Sequence, residues 1–344
     1  MKEILFLGNV PTSDPKSIGG ATVYTQNLLE ILALNDEINI KQLKTRNCWG
    51  KLGQIPDFIL LILKFPFYLK EKEIVSVHAS WDFHVTIGPF IYIISKLFKK
   101  KIVYHFFGGN FHKQFDCFPR VLQWWLKTTI LSSDYILMET KKMIEYFENH
   151  GITDKCIWFP NSRKANKEEL TILNYSRRFV FISRVTKTKG INLLFEAVKV
   201  LPKDFVIDVY GPIDLIYFSE ESFNNSRLDY RGVLKSHEVN KTLSNYDVVI
   251  LPTYYQGEGY PGILIEAMSL GKPIITTKLN ALDEIVIHKY NGLLIRQKSV
   301  QELIDAILYF NNENYPSFVK NSLNNFSEFN IERVTEKLIK IYVE

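Results

Sequence analysis

The chain has 344 residues, 46% of them hydrophobic and 23% charged, with a formal net charge of +5. At roughly 100–200 residues per domain this length suggests two domains, and the composition is that of a globular protein able to bury a full core. The three cysteines, Cys48, Cys117 and Cys156, are widely spaced and form no C-x-x-C, which excludes a disulfide framework and a zinc ribbon.

No stretch reaches the ~18 apolar residues of a membrane span. The nearest, 58–69, contains Lys64 and Pro66. Met1-Lys2-Glu3 ahead of a short apolar run lacks the form of a secretory leader, so a reducing, cytoplasmic setting is expected. The charge is uneven. Residues 1–165 hold 21 Lys+Arg against 15 Asp+Glu (+6), and residues 166–344 hold 21 against 22 (−1). A basic first half fits an anionic partner such as a lipid surface or a phosphorylated acceptor, and equally fits solubility alone. No nucleic-acid partner is expected.

Residues 3–8 read as a short buried strand ending at Gly8. A polar loop follows, then Gly19-Gly20. From 22 to 34 the apolar residues Val23, Leu28, Ile31 and Leu32 recur at helical spacing. Strands at 74–77 and 102–104 are each followed by a loop with histidine and glycine. His78 follows the first, and His105 and His112 flank 106–109 after the second. A strand at 133–138 and a helix at 141–149, stopped by Gly151, complete the first series. The polar stretch 161–177 reads as a linker.

A second series follows. Strands at 179–182, 205–210, 228–230, 247–251 and 273–276 alternate with helices at 192–200, 236–244 and 262–270. Such alternation implies parallel sheets with covered faces. Occurring twice, it predicts an α/β protein with two Rossmann-like, doubly wound domains facing each other across a cleft. Ligands then bind at the carboxyl ends of the strands. The expected domains are 1–165 and 166–325, with 326–344 a C-terminal helix packing back on the first.

The segment from Glu258 through Glu266 is the sharpest. Pro261 and Gly262 open a helix directly after a strand and loop, and Pro suits the first helical turn. Free N–H groups there, with the helix dipole, make an anion site. A carboxylate would repel a diphosphate, so Glu258 and Glu266 are better placed to accept hydrogen bonds from sugar hydroxyls. A capped surface helix with two solvated acids fits the same spacing. In Ser183–Gly190, between strand and helix, Arg184 and Lys189 can converge on one anion. An exposed basic loop is the alternative there. In the Ser17–Ala21 segment, Gly19 and Gly20 let backbone approach a ligand, although a plain turn explains them as well. No D-x-D pair, P-loop or G-x-S-x-G occurs, and the Ser17–Ala21 loop after the first strand is not a G-x-G-x-x-G. No metal site is therefore expected, and a nicotinamide dehydrogenase is disfavoured.

The second half resembles the family-4 retaining glycosyltransferases of the GT-B fold. The segment 181–190 is similar to the family's G-R-x-x-x-x-K-G, with Ser183 for the usual Gly. Asp208-Val209-Tyr210-Gly211, then Arg231-Gly232-Val233, then the E-x7-E of Glu258 and Glu266 with Gly271-Lys272-Pro273, follow in the family's order. Leu282-Asp283-Glu284-Ile285 and Asn291-Gly292-Leu293-Leu294 resemble the segments after them. The likeness is strong over 178–296 and loose over 1–165, where Gly19-Gly20 and the two histidine loops carry it.

The resemblance implies a nucleotide-diphosphate sugar as donor, a UDP-sugar first, with no separate cofactor. Arg184 and Lys189 would neutralise the diphosphate. The amides of Gly262 and Ile263 would cap it, with Leu264 beside them among the donor-binding residues and Gly20 approaching from the other domain. Glu266 would hold the ribose, Glu258 the donor sugar, and the turn at Val233-Leu234 the base. It also implies retention at the anomeric carbon, with no enzyme carboxylate as nucleophile. One departure stands out. Phe107 occupies the place where the family often carries a histidine before a Gly pair. Either His105 takes that role from a shifted loop, or the role is absent.

Apolar and aromatic stretches at 58–69 and 90–98, beside Lys99-Lys100-Lys101, lie in the basic half. They suggest peripheral contact with an anionic membrane, and the resemblance implies a glycan or lipid-linked acceptor in surface polysaccharide synthesis. Core helices with charged ends are the alternative. A nucleotide-sugar epimerase and a noncatalytic sugar-nucleotide-binding subunit are the competing functions.

Overall fold

The computed structural model describes all residues except 15–16, 18, 48–53, 153–154, 167–173 and 225. Ile18 of the glycine loop, Cys48 and the middle of the expected linker thus lie outside the described residues. The chain divides into two units, Met1–Lys164 with Asn330–Glu344, and Ala165–Phe329.

The first unit is built on six parallel strands: β1 (Lys2–Leu7), β2 (Ile38–Leu43), β3 (Ile74–Ala79), β4 (Lys101–Phe106), β5 (Tyr135–Met138) and β6 (Cys156–Trp158). They lie in the order β2-β1-β3-β4-β5-β6. The central strand β3 is buried at every position, as a strand covered on both faces must be. The edge strand β2 alternates polar and apolar residues and is half exposed. Its periodicity was too weak to announce it in the sequence.

Helices cover both faces. One core holds Phe65, Phe83, Phe106, Phe111 and Phe147, and the other holds Phe6, Tyr24, Leu28 and Phe159. The last helix, Ile331–Val343, completes the second core with Val334, Leu338, Ile341 and Tyr342. It is pinned there by Tyr342, whose hydroxyl donates to Ser76 Oγ at 2.6 Å.

The strands β3 and β4 run two residues further than their apolar pattern indicates. His78 and His105 were expected in loops, but the structure places them opposite each other in the ladder, followed by Ala79 opposite Phe106. Both imidazoles are buried, which strand pairing and an aromatic environment permit when the rings are neutral. His112 lies on the short helix Phe111–Asp116 rather than in a loop.

The second unit repeats the plan with β7 (Arg178–Ile182), β8 (Val206–Tyr210), β9 (Leu228–Tyr230), β10 (Val248–Leu251), β11 (Ile274–Thr277) and β12 (Gly292–Ile295). Their order is β12-β11-β10-β7-β8-β9, all parallel. The chain winds outward from β7 to β9, returns to lay β10 beside β7, and winds outward again. The switch point therefore lies between β7 and β10, and a doubly wound sheet binds its ligands at the carboxyl ends there. Among the described residues no helix is long and apolar enough to cross a membrane.

Candidate functional site

Two loops leave the sheet at that switch point. Residues 183–190 follow β7, and residues 252–261 follow β10. They are knitted together by backbone. Tyr254 N donates to Thr188 O at 2.8 Å, and Gly190 packs directly on Pro252. Gly190 has a φ of +87°, a conformation that favours glycine, and it ends the short turn Lys187–Lys189 just before the helix Ile191–Ala197.

This turn aims Lys189 inward. Its backbone N–H donates to Thr186 Oγ1, and its ammonium reaches both carboxylate oxygens of Glu258, at 2.7 and 2.6 Å. Lys189 is 9% exposed and Glu258 7%. Thr253 Oγ1 donates to the same carboxylate at 2.8 Å, and Asn280 Nδ2 donates to the Glu258 carbonyl at 2.9 Å. The Lys189 ammonium also lies 5.3 Å from the centre of the Tyr255 ring. A buried ion pair needs such extra hydrogen bonds, because desolvating two charges costs several kcal/mol each, of the order its Coulomb attraction returns.

The helix Gly262–Ser269 starts four residues beyond Glu258, with Pro261 as N-cap and, among the described residues, no side-chain cap. Its first amides therefore point out of the helix without a capping side chain. Gly262 and Ile263 are half-buried there. Leu264, also among the expected donor-binding residues, is the next residue of the helix. Its side chain is fully buried, and its N–H donates to Pro261 O at 3.0 Å. The start of the helix is braced by Tyr260, whose hydroxyl donates to Glu284. Glu266 is half-buried one turn further along.

The remaining expected residues are exposed or half-buried. Arg184 is exposed, on the same loop as Lys189. Val233 is exposed and Leu234 half-buried in the turn after β9, which is tied to the end of β8 by Gly211 N donating to Gly232 O at 2.9 Å. Gly19 and Gly20 are exposed at the start of the helix Gly20–Leu32 in the first unit, where an added Cβ would meet nothing within 4 Å among the described residues.

His105 is 1% exposed, in the interior of β4. Its Nδ1 lies 3.1 Å from His78 Nδ1, and His78 Nε2 lies 2.9 Å from Ser76 Oγ. Burial, helped by the charge of His84, pushes His105 down to about 3. Burial and the neighbouring His105 also hold His78 well below the usual imidazole range. His105 therefore sits in a neutral core pair. Its Nε2 is buried with no hydrogen-bond partner among the described residues.

Thr253, Tyr255 and Asn280 had no signature of their own in the sequence. The one available hint was a threonine placed directly after the proline that ends a strand.

Comparison with known proteins agrees with this fold. The chain is 23% identical over 303 residues to an uncharacterized glycosyltransferase of Methanocaldococcus jannaschii, covering 81% of this chain and 76% of that one. A putative teichuronic acid biosynthesis glycosyltransferase of Bacillus subtilis, TuaC, is 33% identical over 40% of this chain and 33% of its own. The structure of Anabaena HepE in complex with UDP matches with a TM-score of 0.73 at 16% identity, covering 99% of each chain. At that identity the likeness is one of fold. The model of one family matches residues 162–333, the stretch that contains Lys189, Glu258 and the Gly262 helix. The chain belongs to that family, the glycosyl transferases group 1.

Proposed function

We propose that the protein is a retaining glycosyltransferase that moves a hexose-type sugar from a nucleotide-diphosphate sugar to a glycan or lipid-linked acceptor in bacterial surface polysaccharide synthesis. The observation that carries this reading is the buried Lys189 ammonium at the switch point of the second sheet, paired with Glu258 on the loop that leads into an uncapped helix start. Negative charge develops on the diphosphate oxygen as the glycosidic bond stretches. Fixed donors aimed at that oxygen lower the barrier by about 3–4 kcal/mol each. Lys189 and the amides of Gly262 and Ile263 are the proposed donors, with Arg184 neutralising the outer phosphate charge. Glu266 is proposed to take the ribose hydroxyls and the Val233-Leu234 turn the base. UDP is the expected nucleotide, supported by its presence with Anabaena HepE, and polysaccharide synthesis is supported by the teichuronic acid relative. A thermal-shift screen against UDP-, GDP- and ADP-sugars tests the reading. The donor should raise the melting point by mass action, and a flat response to all three series would count against it.

A peripheral site at the inner face of an anionic membrane is part of the proposal. In the first unit the helix Gln54–Tyr68 buries Phe58, Leu61 and Phe65, yet leaves Ile55, Ile59, Leu63 and Phe67 exposed at four-residue spacing. Phe67 is 82% exposed. An exposed apolar row on a helix, in the more basic half of the chain, suits insertion at a lipid interface.

A further inference from the structure

We infer that the cavity between the end of β2 and the helix Gln54–Tyr68 takes the phosphate of an anionic phospholipid headgroup. This rests on the membrane reading above and names the group that the helix grips at the interface.

The helix carries two stripes. Ile55, Ile59, Leu63 and Phe67 form the exposed apolar row. Asp57, Leu61, Lys64 and Tyr68, at spacings of four, three and four, form a second stripe on another side of the helix. With Lys44 and Asn47, just beyond β2, this second stripe lines a cavity of about 530 Å³ that is open to solvent. Lys44 and Lys64 are exposed on its walls. Lys41 lies over the Tyr68 ring, its ammonium 4.9 Å from the ring centre. Among the described residues none of these three ammonium groups has a carboxylate partner, whereas Lys72, Lys96 and Lys164 of the same unit each hold one. The acid on the wall, Asp57, is engaged by Asn47, whose backbone N–H and side-chain amide both donate to it. The cavity thus presents positive charge that the protein itself does not neutralise.

An interfacial helix buries its apolar row about 5–10 Å into the headgroup–acyl boundary. The flank of the same helix then lies level with the lipid phosphates. Leu60, 45% exposed on the cavity wall, continues the apolar surface from the row toward the lysines. Lysine binds phosphate as a point charge, with charge-assisted hydrogen bonds to its oxygens. Ammonium groups gathered around a cavity at that depth suit a phosphodiester better than a bare negative surface.

Partition of the full chain onto vesicles separates these cases. The vesicles are phosphatidylcholine alone, phosphatidylcholine with phosphatidylglycerol, and phosphatidylcholine with oleate brought to the same surface potential. The wild type should bind the phosphatidylglycerol vesicles more tightly than the oleate ones. Lys44→Gln with Lys64→Gln should weaken binding to phosphatidylglycerol about 30-fold, the effect of two lysines at a membrane surface. Lys155→Gln with Lys203→Gln removes the same charge from exposed positions outside the cavity, and should weaken it less than about threefold. All four lysines are exposed, so both variants should keep the wild-type melting point. Equal losses in the two variants, or equal wild-type binding to phosphatidylglycerol and oleate, overturn the inference in favour of diffuse charge attraction. Binding to vesicles seeded with a polyprenyl phosphate, but to neither anionic mixture, overturns it in favour of the acceptor's own phosphate. A wild-type chain that binds no vesicle of any kind brings down the membrane reading itself.

Discussion

Gly190 lies so close to Pro252 that a Cβ on it would sit 2.2 Å from the Pro252 carbonyl oxygen. This contact joins the loop after β7 to the loop after β10, and with them Lys189 to Glu258. The position is doubly constrained, by its left-handed backbone and by the proline carbonyl. Gly190→Ala should cost at least about 2 kcal/mol, since the left-handed conformation alone costs a non-glycine residue about 1–2. Urea unfolding of the variant measures this, and wild-type stability would show that the two loops can part at little cost.

Lys189→Ala should lower turnover roughly 10²–10³-fold, the effect of removing one donor to a developing oxyanion. Sugar transfer, or release of the nucleotide from the donor by hydrolysis, reports it. A loss under about threefold would mean that other groups carry the leaving-group charge.

The buried histidines predict acid sensitivity. His105 is pushed down to about 3 by burial and the charge of His84, and burial likewise brings His84 to about 3. Both titrate near 6.5 in an unfolded chain. Above that pH the rings are neutral in both states and cost nothing. Below it the unfolded chain takes up protons that the folded core refuses. Stability should therefore fall as pH drops from 6.5, by about 1.4 kcal/mol per pH unit for each such histidine. Denaturation at pH 7.5, 6 and 5 gives the slope. His105→Phe should reduce it by one histidine's share, and an unaltered slope would contradict the neutral buried state.

Leu338 is fully buried in the core that the last helix shares with β1 and β3. Leu338→Ala should destabilise the first unit by about 2–5 kcal/mol, the usual cost of such a cavity. Calorimetry that resolves the two units should show one transition, that of the first unit, move down and the other stay. A loss spread equally over both would contradict the assignment of this helix to the first unit.

The exposed row on Gln54–Tyr68 predicts that anionic liposomes carry the protein upward in a density gradient at physiological salt. Leu63→Ser with Phe67→Ser should abolish this while leaving the melting point within a few degrees, because neither side chain belongs to the core. A wild-type chain that stays wholly in the soluble fraction removes the membrane from the proposal.

Much of this protein was legible one segment at a time. Apolar runs separated by amphipathic stretches marked most of the parallel strands, because burial on both faces leaves a local imprint. Pro261-Gly262 after a strand marked a helix start for the same local reason. The family motifs around Arg184, Lys189, Glu258 and Glu266 added which segments matter. Strand ends were misplaced at His78 and His105, since a polar residue reads as a boundary until a neighbouring strand and an aromatic shell neutralise it. The half-exposed β2 carried too little periodicity to be seen. The pairing of Lys189 with Glu258, 69 residues apart, was decided only by the tertiary structure. It exists because the chain crosses back over its sheet to lay β10 beside β7, and no local spacing records that return.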